Sequence, residues 1–283
     1  MVSRVGVAVL VVWLAAGSIA FAQQRPLVTE DPETIGAGLV LIEGGFDYQK
    51  EIFYPASGLQ GDLLRVPTLG VSFGLSSIAE LQIDGGLFNR LKVTEREAAP
   101  LSGHLDFTGD ETRDVEDLVL ATKVRLASET AGRPAFGFRF ATRLPNAGNE
   151  SGLGLDTTDF FVSALMGKTV QSIRFVGNFG LGILGDPVRG DRQNDVLTYG
   201  FSVARAVRQG VEIVGELNGR ANTRADEDTP IGTESRANIR VGGRLTRGTV
   251  RVDAGFIVGM TARDPSFGFT AGATWVFRGF TIP

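Results

Sequence analysis

The chain has 283 residues, with 38 glycines, no cysteine, one histidine (His104), and 28 basic against 32 acidic side chains for a formal charge of −4. Absent cysteine removes disulfide frameworks, thiolate metal sites and cysteine nucleophiles, and a lone histidine leaves little for transition-metal binding. Near-neutral charge argues against a nucleic-acid binder, and 43% hydrophobic content argues against bulk disorder.

The first predicted element is an export leader. "MVSRVGVAVLVVWLAAGSIAFAQQ" supplies Arg4 as the positive start, Val5 to Ala16 as the apolar stretch, and Ala20-Phe21-Ala22 as a small-x-small site before Gln23. A membrane anchor is the rival reading, but the apolar run falls short of the ~20 residues that a span needs. No cysteine follows the site, so it is not a lipoprotein leader. The mature chain is expected to be exported in a Gram-negative bacterium, beginning near Ala22-Gln23. Residues 23–36 are polar, contain Pro26 and Pro32, and are not expected to pair as a strand.

From residue 37 onward apolar and polar residues alternate with a period of two. "AELQIDGGLFNRLK" sets Ala79, Leu81, Ile83 and Leu87 against Glu80, Gln82, Asp84, Arg90 and Lys92. "FGFRFATRL" sets Phe136, Phe138 and Phe140 against Arg139 and Arg143. Twelve such segments are predicted, at 37–48, 63–75, 79–92, 117–127, 135–145, 159–170, 173–184, 195–206, 211–223, 235–245, 250–260 and 267–277. Globular strands average ~5–6 residues, whereas a tilted membrane strand needs ~9–11, so the segment lengths favour a membrane.

The connections alternate as well. Short ones are expected at 76–78, around Gly132, at 171–172, 208–210 and 246–248, and long polar ones at 49–62, 93–116, 146–158, 185–194, 224–234 and 261–266. Short periplasmic turns and longer extracellular loops are the pattern of outer-membrane barrels. The predicted fold is all-β: a transmembrane antiparallel up-and-down β-barrel of about 12 strands over residues 37–283, with both termini in the periplasm. A soluble β-sandwich predicts shorter strands and no such order.

A barrel in lipid turns its charges inward. That makes Glu43, Asp47, Glu80, Asp84, Lys123, Arg125, Arg139, Arg143, Asp159, Glu212, Glu216, Arg236, Arg240, Arg244, Arg251 and Asp253 candidate pore-lining residues. Twelve strands fall between the ~8 whose interior side chains fill and the ~16 that leave an aqueous channel, so a narrow or partly plugged lumen is expected. The charges either select solutes, as charged rings do in pores, or pair across strands and stiffen the wall. Residues 23–36 either fold into the periplasmic mouth as a plug, with Glu30, Asp31 and Glu33 meeting lumen arginines, or trail as a tail.

Two stretches carry resemblances. Thr270, Gly272, Trp275 and Phe277 in "TAGATWVF" resemble the C-terminal signal read by the barrel-assembly machinery, although six residues follow Phe277. Arg25-Pro26-Leu27, Thr29-Glu30-Asp31, Thr34 and Glu43 resemble the opening of the outer-membrane proteins named for the meta-pathway of phenol degradation. Lys123, Leu144-Pro145 and Asp159 also fit that family. The resemblance covers nearly all of the mature chain and implies an outer-membrane transporter linked to aromatic compounds.

His104 lies in a predicted loop with Ser102, Asp106 and Asp110 nearby, but a serine–histidine pair needs a rigid support and no Gly-x-Ser-x-Gly occurs. The acidic run "DFTGDETRDVED" lacks the glycine and terminal glutamate of a calcium loop. No enzyme, cofactor or metal is expected. The expected function is a narrow channel for passive uptake of small, aromatic or hydrophobic solutes, with a non-conducting structural or surface-binding barrel as the alternative. The expected partners are outer-membrane lipid and lipopolysaccharide, the barrel-assembly machinery and a small-molecule solute, with no nucleic acid.

Overall fold

The structure is a computed structural model that describes residues 25–224 and 229–281. The leader expected at 1–22 and its cleavage site lie outside the described residues.

Fourteen strands form one antiparallel sheet: β1 Leu39–Tyr54, β2 Leu59–Gly74, β3 Ala79–Gly86, β4 Asn89–Arg96, β5 Glu111–Asp114, β6 Leu118–Ala127, β7 Ala135–Leu144, β8 Asp159–Val170, β9 Ile173–Gly185, β10 Gln193–Arg208, β11 Val211–Asn222, β12 Arg236–Arg247, β13 Val250–Gly259 and β14 Phe267–Arg278. β3 and β4 are two halves of one stave, because β2 pairs with β3 through Thr68–Gly74 and with β4 through Leu59–Arg65. β5 and β6 divide the next stave in the same way, against β4 and β3 respectively. β1 pairs with both β2 and β14, which closes a barrel of twelve staves, with only the short β5 paired on one side alone among the described residues.

Burial is inverted relative to a water-soluble protein. Lys123, Glu80 and Asp159 are 0% exposed, while Phe256 is 69% and Phe179 62% exposed. Successive side chains alternate sides, so a strand such as β13 puts Val250, Val252, Ala254, Phe256 and Val258 outward and Arg251, Asp253, Gly255 and Ile257 inward. A β-sandwich or soluble barrel would bury the phenylalanines instead.

The first hairpin departs from the predicted boundaries. β1 runs on to Tyr54 and β2 begins at Leu59, so the long loop expected at 49–62 is a four-residue turn on an extended hairpin. Ile52, Leu59, Leu63, Leu91 and Val93 form a buried apolar cluster there, with Tyr54, Leu105, Phe107 and Leu153 packed against it. That burial is what continues the strands. A β-bulge makes it possible: the register shifts between Gln49 and Ile52, and Glu51 takes a left-handed φ of 57°. The extra residue lets Gln49 and Ile52 both turn inward. The turn expected around Gly132 spans 128–134, the stretch that the predicted strands leave between them.

The aromatic half and the polar half of the C-terminal motif face opposite ways. Trp275 and Phe277 are outward neighbours with ring centroids 4.4 Å apart, whereas Thr270 is 1% exposed inside the barrel.

Candidate functional site in the barrel lumen

Residues 25–35 run inside the barrel. At the end bearing the short turns, the Ile35 N–H donates to Glu80 (2.7 Å) and Thr34 Oγ1 to the Ser77 carbonyl (3.0 Å). Glu33 pairs with Arg125, and Asp31 takes a bidentate contact from Arg174 at 2.6 and 2.9 Å. Higher in the lumen, Glu30 lies 3.2 Å from Lys123 and 3.0 Å from Arg139, and its backbone exchanges two hydrogen bonds with Asn178. The N–H groups of Val28 and Thr29 both donate to Glu216.

Arg25 sits halfway up the wall. It donates to Thr68 Oγ1 (3.0 Å), Thr270 Oγ1 (2.9 Å) and the Ala271 carbonyl (2.9 Å), and lies 3.6 Å from Asp253. Gly272 makes room for it, since a Cβ there would stand 2.5 Å from Arg25 Nε. The Arg25 and Pro26 carbonyls in turn accept from Arg244 (2.8 Å) and Arg240 (3.3 Å). A segment with no secondary structure of its own thus satisfies its backbone on the side chains of the wall.

The candidate lumen residues fall into ion-paired groups. Lys123 joins Glu80 (3.0 Å) to Glu30, and Arg139 joins Glu30 to Asp84 (3.5 Å). Arg143 pairs with Asp159 and, at 3.7 Å, with Asp117. Glu216 faces Arg240 at 3.6 Å, and Glu212 faces Arg244 and Arg251 at 3.9 and 3.7 Å. Asp47 lies 3.5 Å from Arg65. Glu43 stands beside Asp84 over Gly70, where an added Cβ would come within 2.9 Å of both side chains. Among the described residues Arg236 bonds only backbone carbonyls, those of Arg263 and Phe53.

Several contacting residues escaped the sequence reading. Arg174, Asn178 and Arg220 share the inward parity of their strands and could have been found by alternation alone. Arg65 could not, because the β1–β2 register shifts between Gly45 and Asp47, which puts Arg65 and Thr68 on the same side. Arg25 lies in a segment without any periodicity.

Glu30 belongs to the segment rather than the wall. Burial pushes its carboxyl up, but the Lys123 and Arg139 charges and the hydrogen bonds from Lys123 and Gln82 outweigh it, and the net direction is below the ordinary 4.5. A lowered carboxyl stabilises the docked state above its unfolded value, and that contribution is lost as pH falls through the folded one. The docked segment is therefore expected to hold at neutral pH and to loosen only in acid below 4.5. The chain has no cysteine, so a spin label on Val28→Cys reports the segment alone. Its spectrum should be immobilised at neutral pH and gain a mobile component in acid; a spectrum unchanged into strong acid would contradict this role for Glu30.

Open space remains around the segment. One cavity of about 430 Å³ is lined by Thr29, Glu30, Asn178, Arg220, Arg236 and Arg240 among others. A second, of about 420 Å³, lies against Arg25, Glu43, Asp47, Arg65, Asp84 and Glu116, and shares Val28, Glu30, Arg139 and Arg240 with the first. Toward the long loops, residues 145–158 fold onto the first hairpin, where Ser57 Oγ donates to the Gly152 carbonyl (2.8 Å). In the same region Ser102 directs its hydroxyl to the Ala99 carbonyl (2.7 Å), and His104 ends a single 3₁₀ turn.

No protein-family model and no curated relative matches the chain. Among solved structures it is similar to an outer membrane channel from Pseudomonas putida F1, with a TM-score of 0.65 and 14% identity over 87% of this chain and 98% of that one. It is also similar to the NanC porin, with a TM-score of 0.51 and 10% identity over 83% of this chain and 98% of that one. At these identities the likeness carries the fold alone: the chain has the closed antiparallel architecture of outer-membrane β-barrels.

Proposed function

We propose that the protein is an outer-membrane diffusion channel for small solutes, made narrow by its own N-terminal segment. The observation that carries this reading is the pair of cavities flanking residues 25–30, about 430 and 420 Å³ and lined by charges of both signs. Spaces of this size hold small molecules, and opposed charges along a constriction select among them. Of the sixteen candidate lumen residues, Glu43, Asp47, Asp84, Arg139, Arg143, Arg236 and Arg240 line these cavities and act on this reading as the pore lining. The others pair within the wall or with the segment, which acts as a plug that sets the open cross-section. A cleaved leader brings the chain to the periplasm, the barrel-assembly machinery inserts it, and lipid and lipopolysaccharide surround it.

The resemblance to the phenol-degradation barrels adds aromatic and hydrophobic compounds to the candidate solutes. A lumen of ion pairs, with Ser102 bonded to the Ala99 carbonyl rather than to His104, fits transport better than hydrolysis. The second reading, a non-conducting barrel, is favoured by the number of contacts that hold the segment. Planar-bilayer current and solute entry into proteoliposomes separate the two: current and flux from the intact mature chain support the channel, and neither current nor flux, even without residues 23–33, removes it.

A further inference from the structure

Arg220 and Arg236 stand directly opposite each other on β11 and β12, both facing the lumen near the long loops. Like charges in that relation repel, and elsewhere the lumen answers an arginine with a carboxylate. Here it does not. No carboxylate of the described residues comes within 4.0 Å of either guanidinium.

Both arginines are instead aimed by backbone carbonyls. Arg220 donates from Nε to Glu234 O (2.9 Å) and from Nη2 to Gly232 O (2.5 Å). Arg236 donates from Nη1 to Arg263 O and from Nη2 to Phe53 O, both at 2.9 Å. Of the five N–H groups on each guanidinium, these bonds use two, leaving three. The Glu234 carboxylate accepts from the Gly232 N–H at 3.0 Å, and Asp159 and Asp117 are engaged by Arg143.

The two arginines line a cavity of about 270 Å³ together with Arg143 and Asp117, whose carboxylate faces Arg143 at 3.7 Å. The same cavity is lined by Tyr54 and Pro55 from the first hairpin, and by Leu153 and Leu155 from the folded-in loop. Its three arginines come from the staves, and its apolar wall from the tip of the first hairpin and the folded-in loop. A ligand matching both has a small anionic head and an apolar body.

We propose that Arg220 and Arg236 bind the carboxylate of a small organic acid whose apolar body packs against Tyr54, Leu153 and Leu155. Arginine suits this because its planar fork meets a carboxylate through paired N–H donors. An anion between them also removes the repulsion that the empty pair carries. The assignment deepens the channel reading and rests on it for the route by which the acid arrives.

The test is calorimetric titration of the full mature protein in detergent with benzoate, and with benzamide as the uncharged control of similar shape. The expected result is saturable benzoate binding, at least tenfold weaker in Arg220→Gln and in Arg236→Gln, and no saturable benzamide binding. Arg205→Gln, on the exposed outer surface, should bind as the unaltered protein does. Equal binding of benzoate and benzamide, absent benzoate binding, or full affinity in both arginine variants overturns the site. Heat-modifiable gel migration reports that each variant is folded, and Arg220→Lys serves if a glutamine variant is not, with weaker benzoate binding again expected. Benzoate entry into proteoliposomes is followed in parallel. Binding without entry removes the channel and leaves the site; entry unchanged in both variants, with their affinity also unchanged, removes the site and leaves the channel.

Discussion

Lys123→Met is expected to lower the unfolding free energy of the barrel by about 3–5 kcal/mol, the usual cost of removing one partner from a buried ion pair. The lysine side chain is 0% exposed and holds two carboxylates, Glu80 at 0% and Glu30 at 6% exposure. Methionine keeps nearly the same length and volume, so the loss is electrostatic rather than a cavity. Glu80 would retain the Gln82 amide and the Ile35 N–H, and Glu30 would retain Arg139, but neither set neutralises both charges. Adding Glu80→Gln should recover a large part of the loss, because it removes the stranded charge. Urea unfolding in detergent or lipid vesicles measures both variants. A cost under about 1 kcal/mol for Lys123→Met, the scale of an exposed pair, would show that this cluster is hydrated rather than buried.

Phe256→Arg is expected to cost about 2–4 kcal/mol of folded stability in a bilayer, the penalty for a cation on the lipid face near the midplane. Phe256 is 69% exposed in the middle of β13, paired across to Val241 and Phe269, which are outward as well. Phe256→Leu keeps the surface apolar and should fold normally. Folding efficiency into vesicles, read by heat-modifiable migration, separates the two. If the face meets water instead of lipid, the arginine variant should fold as well as the parent and be more soluble.

Period-two alternation made most of this fold legible, since its physical cause is simple: one face of each strand meets hydrocarbon and the other does not. The hairpin β12–β13 shows this well, with Arg240, Arg244, Arg251 and Asp253 inward and Val241, Leu245, Val252 and Phe256 outward. Alternation fails wherever a bulge resets it. Glu51 reads as part of a polar loop, and nothing local announces that Ile52 and Leu59 will find Leu91 and Val93 from another stave.

The lumen was legible in composition and less so in its partners. The side chains on the inward face follow from parity, so Arg174 and Arg220 were within reach. Which acid meets which base depends on the register between staves and on a segment that obeys no period. Arg25 is the clearest case: its site is built from Thr68, Thr270, the Ala271 carbonyl and the space left at Gly272, residues far apart in sequence on the two staves that flank β1.

Residues 25–35 run through the barrel lumen, where they are proposed to narrow a channel. Single-channel conductance in planar bilayers, compared between the mature chain and the same chain lacking residues 23–33, tests that most directly. A small conductance for the intact protein, rising several-fold on deletion while the barrel remains folded, is the predicted result. Equal conductance from both forms, at equal barrel stability, would contradict it.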